Sequence, residues 1–185
     1  MINVTAVLLK WARHKELCEI EAHLRTIPEI DEVIVWDNTK ENYINYGRYL
    51  GAIKAKNDII YTQDDDCIVR NLPDLISKWD GTQIVNLLKP SHIHMYGNHT
   101  MAGWGMLFDR RWADCLQRYI DRWGDDYIFR RECDRIFSIL CPTGFSTYPG
   151  DIEDFPSAND ESALYRQSDH ESNKRLAIER ANSLK

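Results

Sequence analysis

The sequence has no long hydrophobic run. Its longest uncharged apolar stretch near the start, Val4 to Leu9, ends at Lys10, whereas a membrane-spanning helix needs about 20 such residues. The stretch is also too short for the apolar core of a secretory signal peptide. We therefore expect neither a membrane span nor a leader in this chain of 185 residues, and we predict a cytoplasmic protein.

Paired cysteines and an excess of positive charge are lacking too. The five cysteines form an odd set without a C-x-x-C pair, so neither a disulfide framework nor a zinc site is indicated. The 23 Lys and Arg residues against 29 Asp and Glu leave a net charge of −6, which argues against a protein whose main task is to hold a nucleic-acid backbone. One stretch, from Arg110 to Arg135, is rich in arginine and is either the solvated face of helices or a binding track.

Glycine-rich phosphate loops are a third absence. The sequence contains no G-x-x-x-x-G-K-[ST], and no G-x-G-x-x-G follows its first predicted strand. These absences exclude P-loop and Rossmann-type dinucleotide-binding enzymes. If a nucleoside diphosphate binds here, a metal ion and side-chain cations must hold its phosphates.

What the sequence does contain is an alternation of strand and helix patterns. Continuous apolar runs predict strands at 3–9, 32–37 and 58–63, and helical periodicity fills the two intervals between them. Short connections between such elements are typical of right-handed crossover units. We therefore predict a single α/β domain over 1–185, with a mostly parallel sheet flanked by helices.

The second half of the chain is less regular. Its patterns predict strands at 83–88 and 103–108, a loop at 90–101, and helices at 72–79, 111–122, 127–140 and 169–184. Residues 142–162 are rich in Pro, Gly, Ser and acids. We predict that they form a long connection, which in a compact domain is usually a functional lid or a mobile segment.

Polar clusters follow the first three predicted strands, and the acidic triplet Asp64 to Asp66 follows the third. In an open parallel sheet, ligands bind beyond the carboxyl ends of the strands. Three adjacent carboxylates repel one another unless a cation neutralises them, and hard oxygen ligands favour magnesium, manganese or calcium over zinc. The triplet predicts a divalent cation that bridges phosphates; the alternative is a solvated acidic turn that caps a helix.

The order of these motifs resembles a known family. Trp36, Asp37 and Asn38, followed by Asn45, Arg48 and the acidic triplet, look like the nucleotide-sugar half of GT-A fold glycosyltransferases with their D-x-D motif. The chain most resembles the C-terminal catalytic domain of exostosin-type enzymes. That family's V-W-N-N turn, P-D-L helix, acidic helix start and final R-x-x-H with a basic residue are similar to residues 35–38, 73–75, 132–138 and 165–175.

The resemblance implies a metal-dependent glycosyltransferase. It would move a hexose or N-acetylhexosamine from a nucleoside diphosphate, expected to be UDP, to an acceptor hydroxyl with retention of configuration. Residues 1–70 would form the nucleotide-binding half and 80–185 the sugar and acceptor half. The cofactor would be Mn²⁺ or Mg²⁺, with Asp66, Asp64 and His170 as its ligands.

The resemblance also implies roles for other side chains. Asp134 is favoured as the carboxylate at the reacting face of the sugar, and Asp125 and Asp126 compete with it at the start of a predicted helix. Trp104 is either a platform for a sugar or a core aromatic residue. The expected contacts with the sugar nucleotide are Lys10, Arg13, Asp37, Asn38, Asn45, Arg48, Asp64, Asp65, Trp104, Lys174 and Arg175.

Alternatives stay open at this point. Carboxylate clusters on α/β sheets also serve metal-dependent nucleotidyl and phosphoryl transfer, and a sugar-nucleotide-binding module without catalysis fits the same motifs. For a transferase, the acceptor could be a glycan precursor, a protein or a hydroxylated DNA base, as in a small microbial or phage enzyme. A DNA acceptor requires the stretch from Arg110 to Arg135 to form a track beside the site.

Overall fold

A computed structural model describes residues 2–94, 99–159 and 164–185. Its strands are β1 (Val4–Lys10), β2 (Ile30–Asp37), β3 (Ile59–Thr62), β4 (Cys67–Val69), β5 (Ile84–Leu88), β6 (Met106–Asp109), β7 (Phe145–Pro149) and β8 (Ile152–Asp154). Its α-helices are α1 (His14–Leu24), α2 (Gly47–Ile53), α3 (Leu72–Ser77), α4 (Cys115–Trp123), α5 (Tyr127–Leu140) and α6 (His170–Asn182). Short 3₁₀ turns lie at Ile44–Tyr46, Pro90–His92, Ala102–Trp104, Arg110–Asp114, Pro156–Asn159 and Leu164–Arg166.

Six strands form one sheet in the order β2-β1-β3-β6-β5-β7, and β4 pairs with β8 in a separate two-stranded ribbon. Strand β6 runs antiparallel to both of its neighbours, whereas the other neighbouring pairs are parallel. The predicted mostly parallel α/β sheet is therefore confirmed. Five strands end at the same side of the sheet, which we call the carboxyl edge, and β6 begins there.

The sheet has a hydrophobic core on each face because side chains alternate along a strand. In β1, Val7 belongs to the core beneath α5 and α6, and its neighbours Ala6 and Leu8 belong to the core beneath α1 and α3. A strand buried on both faces reads as a continuous apolar run, which is why the sequence predicts β1 well. The helices predicted at 127–140 and 169–184 are also confirmed, as α5 and α6.

The prediction of a long lid over 142–162 is wrong for most of that segment. It contains β7, which extends the sheet parallel to β5, and β8, which pairs antiparallel with β4. Strand β7 is only half-buried at the sheet edge, a position that tolerates Pro149 because no neighbour needs its missing N–H. Residues 160–162 lie outside the described residues.

The first half of the predicted strand at 103–108 is a 3₁₀ turn, and the predicted helix at 111–122 begins with another such turn before α4. Strand β4, directly after the acidic triplet, was not predicted. None of the helices within the described ranges is both long and apolar enough to cross a membrane.

Candidate active site

The acidic triplet Asp64 to Asp66 follows β3 at the carboxyl edge, where two later segments of the chain hold its backbone. The Asp64 amide donates to the carbonyl oxygen of Gly103 at 2.9 Å, and the Phe155 amide donates to that of Asp66 at 2.8 Å. A Cβ on Gly103 would lie 2.1 Å from Asp64 Oδ2. Gly103 therefore allows its backbone to lie directly against the Asp64 carboxylate.

Arg48 on α2 joins the triplet to a second carboxylate, that of Asp134 on α5. Its Nη2 donates to Asp64 Oδ1 at 2.7 Å, and its Nε lies 3.5 Å from Asp134 Oδ1. The hydroxyl of Tyr49 donates to the same Asp134 oxygen at 2.9 Å. Because the Arg48 side chain is only 1% exposed, the guanidinium and both carboxylates form a fixed charged unit. Among the described residues, Arg48 Nη1 has no hydrogen-bond partner.

The electrostatics of this unit follow from its burial. Burial raises the pKa of the Asp134 carboxyl, and the positive charge of Arg48 opposes that rise. Burial lowers the pKa of Arg48, but Asp134 and Asp64 outweigh it and leave that pKa above its ordinary value. The guanidinium is therefore permanently charged, and it stabilises two carboxylates that would otherwise repel each other.

The other two aspartates of the triplet have different environments. Arg13 Nη1 donates to Asp65 Oδ1 at 2.9 Å, and the same guanidinium donates to the carbonyl oxygen of Ser157 at 3.1 and 3.2 Å. Asp66 forms no ion pair with any described residue, and burial together with the negative charge of Asp64 raises its pKa to about 7. The triplet thus contains two carboxylates that are balanced by arginines and one that is not.

Lys10 and Asp37 end neighbouring strands of the carboxyl edge, and their charges lie 3.7 Å apart. The Asp37 carboxylate also accepts hydrogen bonds from the amide and hydroxyl of Thr39, which are the main cause of its lowered pKa. Both charged side chains are 37% exposed. Both side chains remain accessible from solvent. Lys10, at the end of β1, is one strand away from the triplet, and Asp37, at the end of β2, is two strands away.

Asn38 and Asn45 were expected to contact the sugar nucleotide, but their amides are used within the fold. Asn38 is 2% exposed. Its Nδ2 donates to the Ile44 carbonyl at 2.9 Å and its Oδ1 accepts from the Tyr43 amide at 3.2 Å. Asn45 Nδ2 donates to the Arg131 carbonyl at 2.8 Å. In this structure Asn38 closes the loop after β2 and Asn45 ties that loop to α5, and their contact with a sugar nucleotide stays a prediction.

Asp125 and Asp126 do not join Arg48 and Asp134. Asp126 is the N-cap of α5 and accepts from the Phe129 amide at 2.8 Å, and it pairs with Arg180 at 2.9 Å. Asp125 pairs with Arg130 at 2.8 Å. Both carboxylates hold the start of α5 in place, so of the three candidates the structure brings only Asp134 to the triplet.

His170 does not meet the triplet either. Its Nδ1 lies 3.1 Å from Nη2 of the buried Arg131, because the segment before α6 is packed on α5. No three His, Cys, Asp or Glu side chains in the described parts of the chain are arranged as a metal-binding group, and the ligand set of Asp64, Asp66 and His170 stays a prediction. Further along α6, Lys174 pairs with Glu171 at 3.4 Å, and Arg175 is exposed.

Trp104 lies beside β5 and is partly buried. The Nζ of Lys89 sits 4.9 Å from the centre of its ring, and the His92 ring meets it edge-on at 5.1 Å. Lys89 also pairs with Asp154 at the end of β8. Neither Lys89 nor Tyr49 was predicted, because a single residue of either type forms no motif. The available signals were the position of Lys89 directly after a strand and that of Tyr49 on one face of a helix.

The arginine-rich stretch is largely neutralised within the protein. Five of its arginines pair with carboxylates: Arg110 with Asp58, Arg111 with Asp109, Arg130 with Asp125, Arg131 with Asp169, and Arg135 with Glu132. Of the other two, Arg118 donates to the Leu184 carbonyl and Arg122 stacks on Trp123. The described residues of this stretch therefore do not form an unbalanced basic track.

Solved structures to which this fold is similar include glycosyltransferases. The catalytic domain of Drosophila β1,4-galactosyltransferase 7, complexed with xylobiose, has 13% identity and a TM-score of 0.60, with 95% of this chain and 80% of that chain covered. A mannosyltransferase from Pyrobaculum calidifontis with GDP-Man and Mn²⁺ has 13% identity and a TM-score of 0.64, and the match covers 96% of this chain and 64% of that chain. Glucosyl-3-phosphoglycerate synthase from Mycobacterium tuberculosis with Mn²⁺, UDP and phosphoglyceric acid has 14% identity and a TM-score of 0.51, and the match covers 99% of this chain and 78% of that chain.

These likenesses define the class of fold as GT-A, the Rossmann-like fold of nucleotide-sugar glycosyltransferases. No protein-family model matches the chain, and no curated protein matches it significantly. The narrower resemblance to exostosin-type enzymes stays a prediction.

Proposed function

We propose that this protein is a metal-dependent glycosyltransferase that uses a nucleoside diphosphate sugar, with UDP as the expected nucleotide, and transfers the sugar to an acceptor hydroxyl. One observation carries the proposal. On a GT-A fold, an acidic triplet lies at the carboxyl edge, and the buried Arg48 joins it to Asp134. In open α/β sheets this edge is where ligands bind.

The triplet fits a Mn²⁺ or Mg²⁺ ion. The side-chain atoms of the triplet that can bind a metal ion are all carboxylate oxygens, the ligands that these hard cations prefer. Asp64 and Asp65 pair with arginines, whereas Asp66 pairs with no cationic side chain among the described residues. Asp66 and Asp64 would hold the ion. Because such ions are often bound by one or two carboxylates together with substrate phosphates, a third protein ligand such as His170 is not required. The ion would stabilise the negative charge on the departing diphosphate.

The chain's own residues then have distinct tasks. Arg48 keeps Asp64 and Asp134 at a fixed separation, and Arg13 holds Asp65 against the Ser157 backbone. Asp134 would position the sugar or the acceptor, steady positive charge on the sugar ring, or accept a proton. Its attachment to Arg48 and the Tyr49 hydroxyl fixes the carboxylate for that role.

The cations Lys10, Lys174 and Arg175 would contact the nucleotide or its diphosphate, together with the carboxylate of Asp37. We include in the proposal the division into a nucleotide-binding half at 1–70 and a sugar and acceptor half at 80–185. We also propose that the reaction retains the anomeric configuration and that the donor carries a hexose or N-acetylhexosamine. The proposed setting is the cytoplasm of a microbe, or of a cell infected by a phage that encodes the protein. A DNA acceptor is disfavoured by the internal pairing of the arginine-rich stretch.

The test is release of UDP from a panel of UDP-sugars in the presence of Mn²⁺, measured for the parent protein and for Asp66→Asn. We expect the parent protein to release UDP when Mn²⁺ is present and Asp66→Asn to lose this activity. The control variant Asp121→Asn, on the exposed surface of α4, should release UDP as the parent does. A thermal shift with UDP and Mn²⁺ is expected as well. Stabilisation by nucleoside triphosphates without any response to UDP would instead favour nucleotidyl or phosphoryl transfer, and UDP-sugar binding without released UDP would favour a binding module.

A further inference from the structure

A cavity lies at the carboxyl edge, and none of the three aspartates of the acidic triplet lines it. Its volume is about 540 Å³, and its walls come from the residues that follow β5, the connection between β7 and β8, and Asn71 at the start of α3. Strand β5 is two positions from β3 in the sheet, a lateral distance of about 10 Å at ~4.8 Å per strand. The cavity therefore opens on the same edge as the proposed sugar-nucleotide site, at the distance a short saccharide spans.

The β4–β8 ribbon connects the two places. Its first strand begins directly after Asp66, and Cys67 in that strand pairs with Asp154 in the other. Asp154 in turn forms an ion pair with Lys89, which lines the cavity and lies over the Trp104 ring. A ligand in the cavity would thus border the same ribbon that flanks the triplet.

The charge of the cavity wall indicates the chemistry of its ligand. Its cation, Lys89, is already balanced by Asp154. The exposed carboxylate of Asp151 has no hydrogen-bond or ion-pair partner among the residues the structure describes. Only its backbone is engaged: the amide donates to Asn71 Oδ1, and the carbonyl oxygen accepts from the Arg70 amide. A free carboxylate accepts hydrogen bonds from hydroxyl groups and repels anions.

The remaining wall is apolar. The rings of Pro90 and Pro149 are exposed, and Ile152 is partly buried beside them. Such surfaces suit the C–H faces of a sugar ring, while the carboxylate suits its hydroxyls. We propose that this cavity binds the acceptor and selects a neutral, hydroxyl-rich saccharide over a phosphorylated one. This inference rests on the proposed function.

The experiment measures binding by saturation-transfer NMR in the presence of UDP and Mn²⁺, with xylobiose and cellobiose as neutral probes and 3-phosphoglycerate as the anionic probe. We expect the parent protein to bind a neutral disaccharide and not 3-phosphoglycerate. Asp151→Arg should weaken disaccharide binding by about tenfold or more, because the hydroxyl acceptor is lost, and should admit 3-phosphoglycerate. Asp114→Arg, an exposed aspartate beyond the opposite end of β6, is the matched control and should change neither.

UDP release without any acceptor is measured in parallel for the parent protein and Asp114→Arg, and it should be the same in both. Binding of 3-phosphoglycerate but neither disaccharide by the parent protein, no disaccharide signal at all, or an unchanged signal in Asp151→Arg would each overturn the inference. Those results leave the proposed function intact as long as UDP is released. Failure of every UDP-sugar to release UDP would instead refute the proposed function.

Discussion

Replacing Gly103 by alanine tests whether the backbone behind Asp64 sets the geometry of the acidic triplet. The added Cβ would lie 2.1 Å from Asp64 Oδ2 and 2.7 Å from its Cγ. The two backbones cannot easily separate, because the Asp64 amide is bonded to the Gly103 carbonyl at 2.9 Å. The carboxylate itself must therefore turn away, and it then leaves the Arg48 guanidinium.

The cost has two parts. Overpacking of this kind costs about 1–3 kcal/mol. Loss of a hydrogen bond between charged groups costs roughly 1.5–3 kcal/mol when buried, but the Asp64 side chain is 43% exposed, so solvent screening reduces this part to about 1 kcal/mol. We expect a total of about 2–4 kcal/mol, together with about a tenfold or greater loss of Mn²⁺ affinity, as for other changes that misplace a metal ligand.

Urea unfolding and calorimetric Mn²⁺ titration in the presence of UDP measure both effects. The control is Gly81→Ala: this glycine has a φ of +79° and no atom near its missing Cβ, so its replacement should destabilise the fold by about 1 kcal/mol and leave Mn²⁺ affinity unchanged. The double variant Gly103→Ala with Asp64→Ala should recover much of the stability, because the clash is gone. Additive losses in this cycle, or parental Mn²⁺ affinity in Gly103→Ala, would refute the reasoning.

Three further predictions concern Arg48, two acidic residues of α5 and its cap, and the buried His99. Arg48→Met removes the cation between two carboxylates and should destabilise the fold by about 3 kcal/mol in urea unfolding. Asp126→Ala should cost about 1 kcal/mol through the lost N-cap with unchanged UDP release, whereas Asp134→Asn should lower UDP release by about 100-fold or more. Burial lowers the pKa of His99 to about 4, so folding disfavours its proton; stability should fall as pH drops from about 6.5 towards 4, by at most ~3 kcal/mol, and His99→Gln should remove that loss.

A different outcome would contradict each of these three predictions. Parental stability of Arg48→Met would mean that the guanidinium does not balance the two carboxylates. Loss of UDP release in Asp126→Ala with full release in Asp134→Asn would reverse the assignment of the carboxylate. Identical acid profiles of the parent protein and His99→Gln would show that this imidazole does not titrate as its burial requires.

The sequence predicts best those elements whose side chains are buried on one or both faces. Strand β1 is apolar along its length because the sheet covers both sides, and α5 shows clear helical spacing because one face packs on the core. Strand β8 has only three residues, Ile-Glu-Asp, and it exists because β4 pairs with it. A strand that depends on a distant partner leaves no periodic pattern, so 142–162 looked like a lid.

The site was predictable in part for similar reasons. The triplet follows a strand, and strand ends are visible in the sequence. The contact of Arg48 with Asp134 joins α2 to α5 across 86 positions, and no local pattern encodes it. Likewise, Asn38 and Asp126 have residue types common both in binding sites and in loops or caps, and only the folded contacts show that they serve the loop and the cap.

The contacts that hold the acidic triplet have a consequence for synthesis on the ribosome. The partners of its backbone, Gly103 and Phe155, lie 39 positions after Asp64 and 89 after Asp66. A growing chain that has reached residue 140 contains all three aspartates and Asp134, yet neither β7 nor the ribbon strand that precedes Phe155. We therefore expect chains that stop before β7 to carry the full set of acids without an ordered site, and ion binding to require synthesis through Phe155.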